Sequence, residues 1–231
     1  MNLGEIQNLA RAKADEQNTG DFIGETELVS YVNQGLRFIY AQITQKWEDF
    51  FVLRGTSGNG GLFSLVIGQD EYALPATLQK LTLVQMRIAT NSSNDAWITL
   101  NRVNPANDGD DTYYPLRNDL LYRSGYYVAG NNLYIQPVPT EALQIRLHFI
   151  PRVTALAVNT DIPGIPEEYH EILAEYAAIH MLRKSGEGIF NESYKIWMDE
   201  LKNLLSTVAI RNTQAGQMTI TENYDEYYYG W

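Results

Sequence analysis

Apolar residues recur at helical spacing near both ends of the chain and at every second position through its middle. At the start, Leu3, Ile6, Leu9 or Ala10, and Lys13 or Ala14 predict a helix from Asn2 to about Asn18, with Asn2 and Glu5 placed as a capping box. A second helix is predicted from about Thr26, a candidate N-cap, to Trp47. Its stripe is Leu28, Val32, Leu36, Ile39, Ile43 and Trp47, with Asn33, Gln34, Arg37, Gln42 and Gln45 on the opposite side.

From Phe50 to about Ala157 the period falls to two. Candidate strands are Phe50–Arg54, Leu62–Ile67, Leu81–Ala89, Trp97–Arg102, Leu120–Arg123, Tyr126–Ala129, Asn132–Gln136 and Leu143–Phe149. In the last, Leu143, Ile145, Leu147 and Phe149 alternate with Gln144, Arg146 and His148, as in a half-buried antiparallel strand. Turn signals such as Gly58-Asn59-Gly60-Gly61 and Gly130-Asn131-Asn132 separate the runs. Their spacing predicts a compact sheet or small barrel and leaves the strand order open.

Helical stripes return after Pro163-Gly164-Ile165-Pro166. Pro166 suits a first helical turn, and Glu167 and Glu168 are placed favourably against the helix dipole. The stripe is Tyr169, Ile172 or Leu173, Tyr176, Ile179 and Met181 or Leu182, and Gly186 is the expected terminator. A last helix is predicted from about Ile189 to Arg211, with Tyr194, Trp197, Leu201, Leu204, Leu205 and Val208 on one side. The predicted fold class is therefore α+β: a helical bundle built from both chain ends, an antiparallel β insertion and an extended C-terminal tail. The expected divisions are a helical pair at 1–49, a β-rich insertion at 50–162, a helical pair at 163–212 and an arm at 213–231.

That arm differs in composition from the rest. It carries Glu222, Asp225 and Glu226 with no Lys, Arg or His, and closes on Tyr224, Tyr227, Tyr228, Tyr229 and Trp231. Clustered aromatic side chains are costly to leave in water. A polar spacer followed by such a cluster is therefore expected to order on a partner, and these eight residues are the candidate partner-binding site.

Composition narrows the chemistry. The chain has 231 residues, a net charge of −11 and no cysteine. Thiolate metal sites, disulfides and cysteine nucleophiles are excluded. The acidic balance argues against nucleic-acid binding and anionic membrane surfaces, both of which need clustered Lys and Arg. With no signal-like apolar core at the start and no apolar run near a membrane span, a soluble, unexported protein is expected. Tyrosine is abundant, with 16 residues against 7 Phe and 4 Trp, as at many protein interfaces.

Motifs that carry catalysis are missing. His170-Glu171 has Ala174 where a zinc-protease helix needs its second histidine. Asp108-Gly109-Asp110-Asp111 lacks the spacing of a calcium loop and reads as a solvated turn. Gly58-Asn59-Gly60-Gly61 is not followed by Lys-Ser or Lys-Thr, and no Gly-x-Ser-x-Gly elbow occurs. No enzyme activity, cofactor or metal is expected. Two other readings stand beside docking: a glycan- or receptor-binding tail module stacking sugars on Tyr113-Tyr114 and Tyr126-Tyr127, and a hydrolase whose carboxylates converge only in three dimensions.

In order and spacing, several segments resemble the head-to-tail adaptor (connector) proteins of tailed bacteriophages. The segments are Glu27-Leu28-Val29-Ser30-Tyr31-Val32-Asn33-Gln34-Gly35-Leu36, Asp70-Glu71-Tyr72-Ala73-Leu74-Pro75, Gly130-Asn131-Asn132-Leu133-Tyr134-Ile135-Gln136-Pro137, and Ile165-Pro166-Glu167-Glu168-Tyr169-His170-Glu171 running on to Ala178. The resemblance implies a structural virion protein, assembled in the host cytoplasm. It implies a homo-oligomeric ring, twelve-fold to match the portal protein above it, joined below to a downstream tail or nozzle protein. DNA would pass through its channel without sequence-specific binding. The resemblance also implies that the C-terminal arm, Thr213–Trp231, runs along the portal. The large β insertion departs from short, all-helical adaptors of this type.

Overall fold

The computed structural model describes residues 1–15, 23–88, 96–104, 125–185 and 190–214. Among them the chain forms four α-helices and nine strands, an α+β fold. Met1–Trp47 and Val153 onward make one compact unit, and Glu48–Arg152 makes another.

In the first unit, α1 (Leu3–Lys13) opens on the expected capping box. The Glu5 N–H donates to Asn2 Oδ1 and the Asn2 N–H to Glu5 Oε2, each at 2.9 Å. The helix stops five residues before Asn18, with Asp15 in the left-handed region at φ 54°. Helix α2 (Glu25–Lys46) is capped by Gly24 rather than Thr26. Gly24 has no side chain to cap with, and Glu25 and Glu27 in the first turn compensate the exposed amide dipoles. Leu28, Val32, Leu36, Ile39 and Ile43 are buried, as their spacing predicts.

Pro166 precedes a short 3-10 turn, Glu167–Tyr169, which runs into α3 (His170–Ser185). This helix is enclosed by the other three. Ile172, Leu173, Ala174, Ala177, Ala178, Ile179 and Met181 are all buried, so apolar residues extend around it instead of forming one stripe. Helix α4 (Phe190–Gln214) buries Trp197, Leu201 and Leu205 at four-residue steps. It continues three residues past Arg211.

Asn33, placed by its polarity on the solvent side of α2, is buried instead. Its Nδ2 donates to the Leu156 carbonyl at 2.9 Å, and its Oδ1 accepts the Leu156 N–H at 2.8 Å. One side chain thus satisfies both backbone groups of a residue in the segment leading to α3. Asn33→Ala is expected to cost about 2–4 kcal/mol, because two buried backbone groups lose their partner. Asn33→Asp should be intermediate, since it keeps the acceptor only. Urea unfolding followed by circular dichroism at 222 nm checks this order.

The second unit starts with a 3-10 helix, Glu48–Phe51, where a strand is predicted. Only β1 (Leu53–Arg54) of that prediction is extended. The other strands are β2 (Leu62–Ser64), β3 (Glu71–Ala73), β4 (Leu78–Ile88), β5 (Ala96–Thr99), β6 (Asn101–Arg102), β7 (Gly125–Ala129), β8 (Asn132–Gln136) and β9 (Gln144–Pro151). The expected strand Leu120–Arg123 lies outside the described residues. They form a five-stranded sheet ordered β1-β9-β4-β5, with β2 also paired to β9, and a four-stranded sheet ordered β3-β8-β7-β6. Pairing is antiparallel except for the two-residue β6–β7 ladder. Leu100, between β5 and β6, is where the chain passes from one sheet to the other.

The inward residues of both sheets make one core: Val84 and Met86, Ile145, Leu147 and Phe149, Leu133 and Ile135, Tyr72 and Tyr126. Their alternation with polar neighbours is the period-two signal of the sequence. The β7–β8 hairpin closes through Gly130, whose φ of 60° fits a tight two-residue turn.

Candidate partner-binding surfaces

The predicted docking residues Glu222, Tyr224, Asp225, Glu226, Tyr227, Tyr228, Tyr229 and Trp231 lie outside the described residues, as do Tyr113-Tyr114 and Asp108–Asp111. Tyr126 and Tyr127, weighed as a sugar-stacking pair, are buried, and Tyr127 stacks on Tyr134 with ring centroids 4.7 Å apart.

The histidines are dispersed. His148 Nε2 lies 3.0 Å from Gln85 Oε1 on the five-stranded sheet. His170 Nε2 lies 3.1 Å from the Ile165 carbonyl, and His180 stacks on Tyr31 with ring centroids 5.5 Å apart and packs at a tilt against Tyr176 at 4.5 Å. Among the described residues no three His, Asp or Glu side chains are grouped as metal ligands.

Burial holds all three histidine pKa values below the ordinary 6.5, with nearby arginines adding to the effect at His148 and His180. The unfolded chain therefore takes up these protons first as pH falls. Stability contributed by the neutral histidines is complete above about pH 7 and is lost below about 6.5. The thermal midpoint is expected to fall between pH 7 and pH 5, and His180→Phe should flatten the slope. Thermal scans across that range measure it.

Surfaces suited to partners are more prominent than sites for chemistry. On the helical unit, a recess of about 200 Å³ is lined by Ile179, Leu182, Ile196 and Trp197, with Lys13, Glu175 and Glu200 at its rim. Ile196 is 61% exposed. Lys13 bonds Glu171 at 3.2 Å and Glu175 at 2.5 Å. A hydrogen bond with Glu175 raises the pKa of Glu200, and burial and the charges of Glu175 and Glu171 add to it. Three carboxylates thus crowd one lysine across α1, α3 and α4.

On the β unit, Val66, Ile67 and Val138 are exposed on neighbouring loops, tied by the Gly68 N–H to the Pro139 carbonyl at 2.9 Å. Tyr72 braces the first loop: its hydroxyl accepts the Val66 N–H at 3.0 Å and donates to the Gln69 carbonyl at 2.7 Å. Ile67, 65% exposed, is thus held on an ordered apolar tip. A wider recess of about 620 Å³ is lined by Leu74, Pro75, Lys80, Arg102, Tyr126 and Arg152, among others.

The described residues thus present exposed apolar patches of the kind that suit contact with other proteins, at Ile196 and at Val66, Ile67 and Val138. Residues 1–221 match the model of the SU10 adaptor protein family, and the chain belongs to that family. It is an adaptor-type phage protein, a structural virion component that contacts other virion proteins. No curated protein matches it. Glu222–Trp231 lie past the matched residues. Among the described residues, no helix is long and apolar enough to cross a membrane.

Proposed function

We propose that the protein is a head-to-tail adaptor. Its copies close into a ring beneath the portal, twelve-fold to match it, and join the portal to the tail while leaving a channel for DNA. The match to an adaptor family over 221 residues carries this reading. The exposed apolar residues on both units support it, because such patches mark surfaces that partners cover. So does the net charge of −11, which repels passing DNA from a channel wall. In this reading Glu222, Tyr224, Asp225, Glu226, Tyr227, Tyr228, Tyr229 and Trp231 dock on the portal, their aromatic rings buried only in that complex.

Electron microscopy of the purified chain, alone and mixed with its portal, tests the proposal. Closed rings on the portal are expected, and their absence at micromolar concentrations would overturn it. Helix α4 reaches Gln214, so removal of Ala215–Trp231 spares the described fold. The truncation is expected to weaken portal docking at least tenfold with an unchanged circular dichroism spectrum. Equal docking would reassign the arm.

A further inference from the structure

Among the described residues, the charged strand positions on the outer face of the five-stranded sheet are arginines, opposite in sign to the net charge of the chain. Strand pairing places Arg54 opposite His148, Gln85 opposite Arg146, and Arg87 opposite Trp97. The Arg146 guanidinium lies over the Trp97 ring, 3.6 Å from its centroid. Arg87 Nη1 donates to Gln144 Oε1 at 2.8 Å. From the Arg54–His148 pair to Arg87 and Trp97, none of the described strand positions on this face carries a carboxylate. Glu48, beyond that end, is held by Lys80 at 2.9 Å.

Charge is divided unequally along the sequence. Glu48–Arg152 holds ten acidic and eight basic residues, so nine of the eleven surplus negative charges belong to the rest of the chain. Glu175, Glu200 and Lys13 line the recess that also holds the exposed apolar Ile196, and Lys13 links Glu175 to Glu171. The basic face in turn offers an aromatic ring among arginines. The two surfaces match in charge and in apolar content, and arginine is favoured at desolvated carboxylate contacts.

We propose that the face carrying Arg54, Arg87 and Arg146 in one copy docks on the rim of Glu171, Glu175 and Glu200 around Lys13 in a second copy. The contact joins two different patches, so it is heterologous, and repetition closes it into a ring. The inference rests on the ring reading above and names the surfaces that build the ring. Arginines from the neighbour join Lys13, which alone faces three carboxylates, and Ile196 is covered in the same step.

A charge-swap experiment on the full chain tests it. Arg54→Glu with Arg87→Glu reverses the face, and Glu171→Lys with Glu200→Lys reverses the rim. Each double variant is expected to weaken self-association or ring formation on the portal at least tenfold, measured by sedimentation velocity and ring counts. The chain carrying all four substitutions should regain it, as should a one-to-one mixture of the two double variants. Circular dichroism confirms folding. The rim variant provides an independent test should the face variant not fold. If rings form and neither reversal matters, or the combined variant stays as weak as its parents, the inference fails and the ring reading stands. If the unaltered chain forms no ring with its portal, the ring reading fails. A rescue independent of protein concentration would place the contact within one chain and overturn the inference.

Discussion

Alanine at Gly55 is expected to remove about 3 kcal/mol or more of stability from the β unit, a large effect for one added methyl group. Strand β9 is paired along one edge by two short strands in succession: β1 meets Phe149 and His148, and β2 meets Arg146, Ile145 and Gln144. Leu147 lies between them. Its carbonyl accepts the Gly55 N–H and its N–H donates to the Gly61 carbonyl, both at 2.7 Å. To serve one residue together, the two glycines must nearly touch. A Cβ on Gly55 would lie 2.1 Å from the Gly61 oxygen and 2.5 Å from the Leu147 oxygen. Both obstacles are backbone, so no rotamer change relieves them, and the ladder must open. Gly58→Ala is the control. Its Cβ would meet only Thr56 Oγ1, at 3.9 Å, and a change within about 0.5 kcal/mol is expected. Urea unfolding of both variants measures the difference.

That crossing also shows where the sequence stops being informative. Gly58-Asn59-Gly60-Gly61 announces a turn, and Asn59 does organise it, accepting the Thr56 and Gly61 N–H groups at 2.7 and 3.0 Å. Nothing local announces that Gly55 faces Gly61, because the reason is a third strand some ninety residues away. The stripes of α1, α2 and α4 and the alternation in β8 and β9 are legible because one face of each is buried against the core. Strand β3 is missed: with three residues it is too short to show a period, and it is fixed by the burial of Tyr72 in the core and by pairing with β8. Phe50 and Phe51 read as strand by propensity, yet the backbone there forms a 3-10 turn.

The surfaces divide in the same way. The aromatic, acidic end of the chain stands out by composition alone. The basic sheet face does not, because Arg54, Arg87 and Arg146 are scattered through the sequence and gathered by strand register. Asn33 is misread for the same reason, since polarity predicts exposure until the Leu156 backbone arrives to pair with it. The acidic rim, likewise, takes its carboxylates from α3 and α4 and its lysine, Lys13, from α1 at the other end of the chain.

Trp197→Ala is expected to destabilise the helical unit by about 3–5 kcal/mol, a large part of a typical domain's stability. Trp197 is 1% exposed and is among the largest fully buried side chains. Its ring packs against Tyr176, Tyr194 and Phe38, with centroids 5.1, 5.6 and 5.7 Å away. Its Nε1–H donates to the Ile172 carbonyl of α3 at 2.8 Å. Truncation removes both the apolar contacts between α4 and α3 and the hydrogen bond that fixes their register. Trp197→Phe separates the two, since it keeps most of the packing and loses the bond, for an expected cost of about 1–2 kcal/mol. Ile196 and Glu200 flank Trp197 on α4, so the anchor also positions the surface proposed to receive a neighbouring copy. In the phenylalanine variant, which should remain folded, ring formation on the portal is expected to drop less than in the rim reversal. Unfolding midpoints and ring counts taken on the same samples place the two effects on one scale.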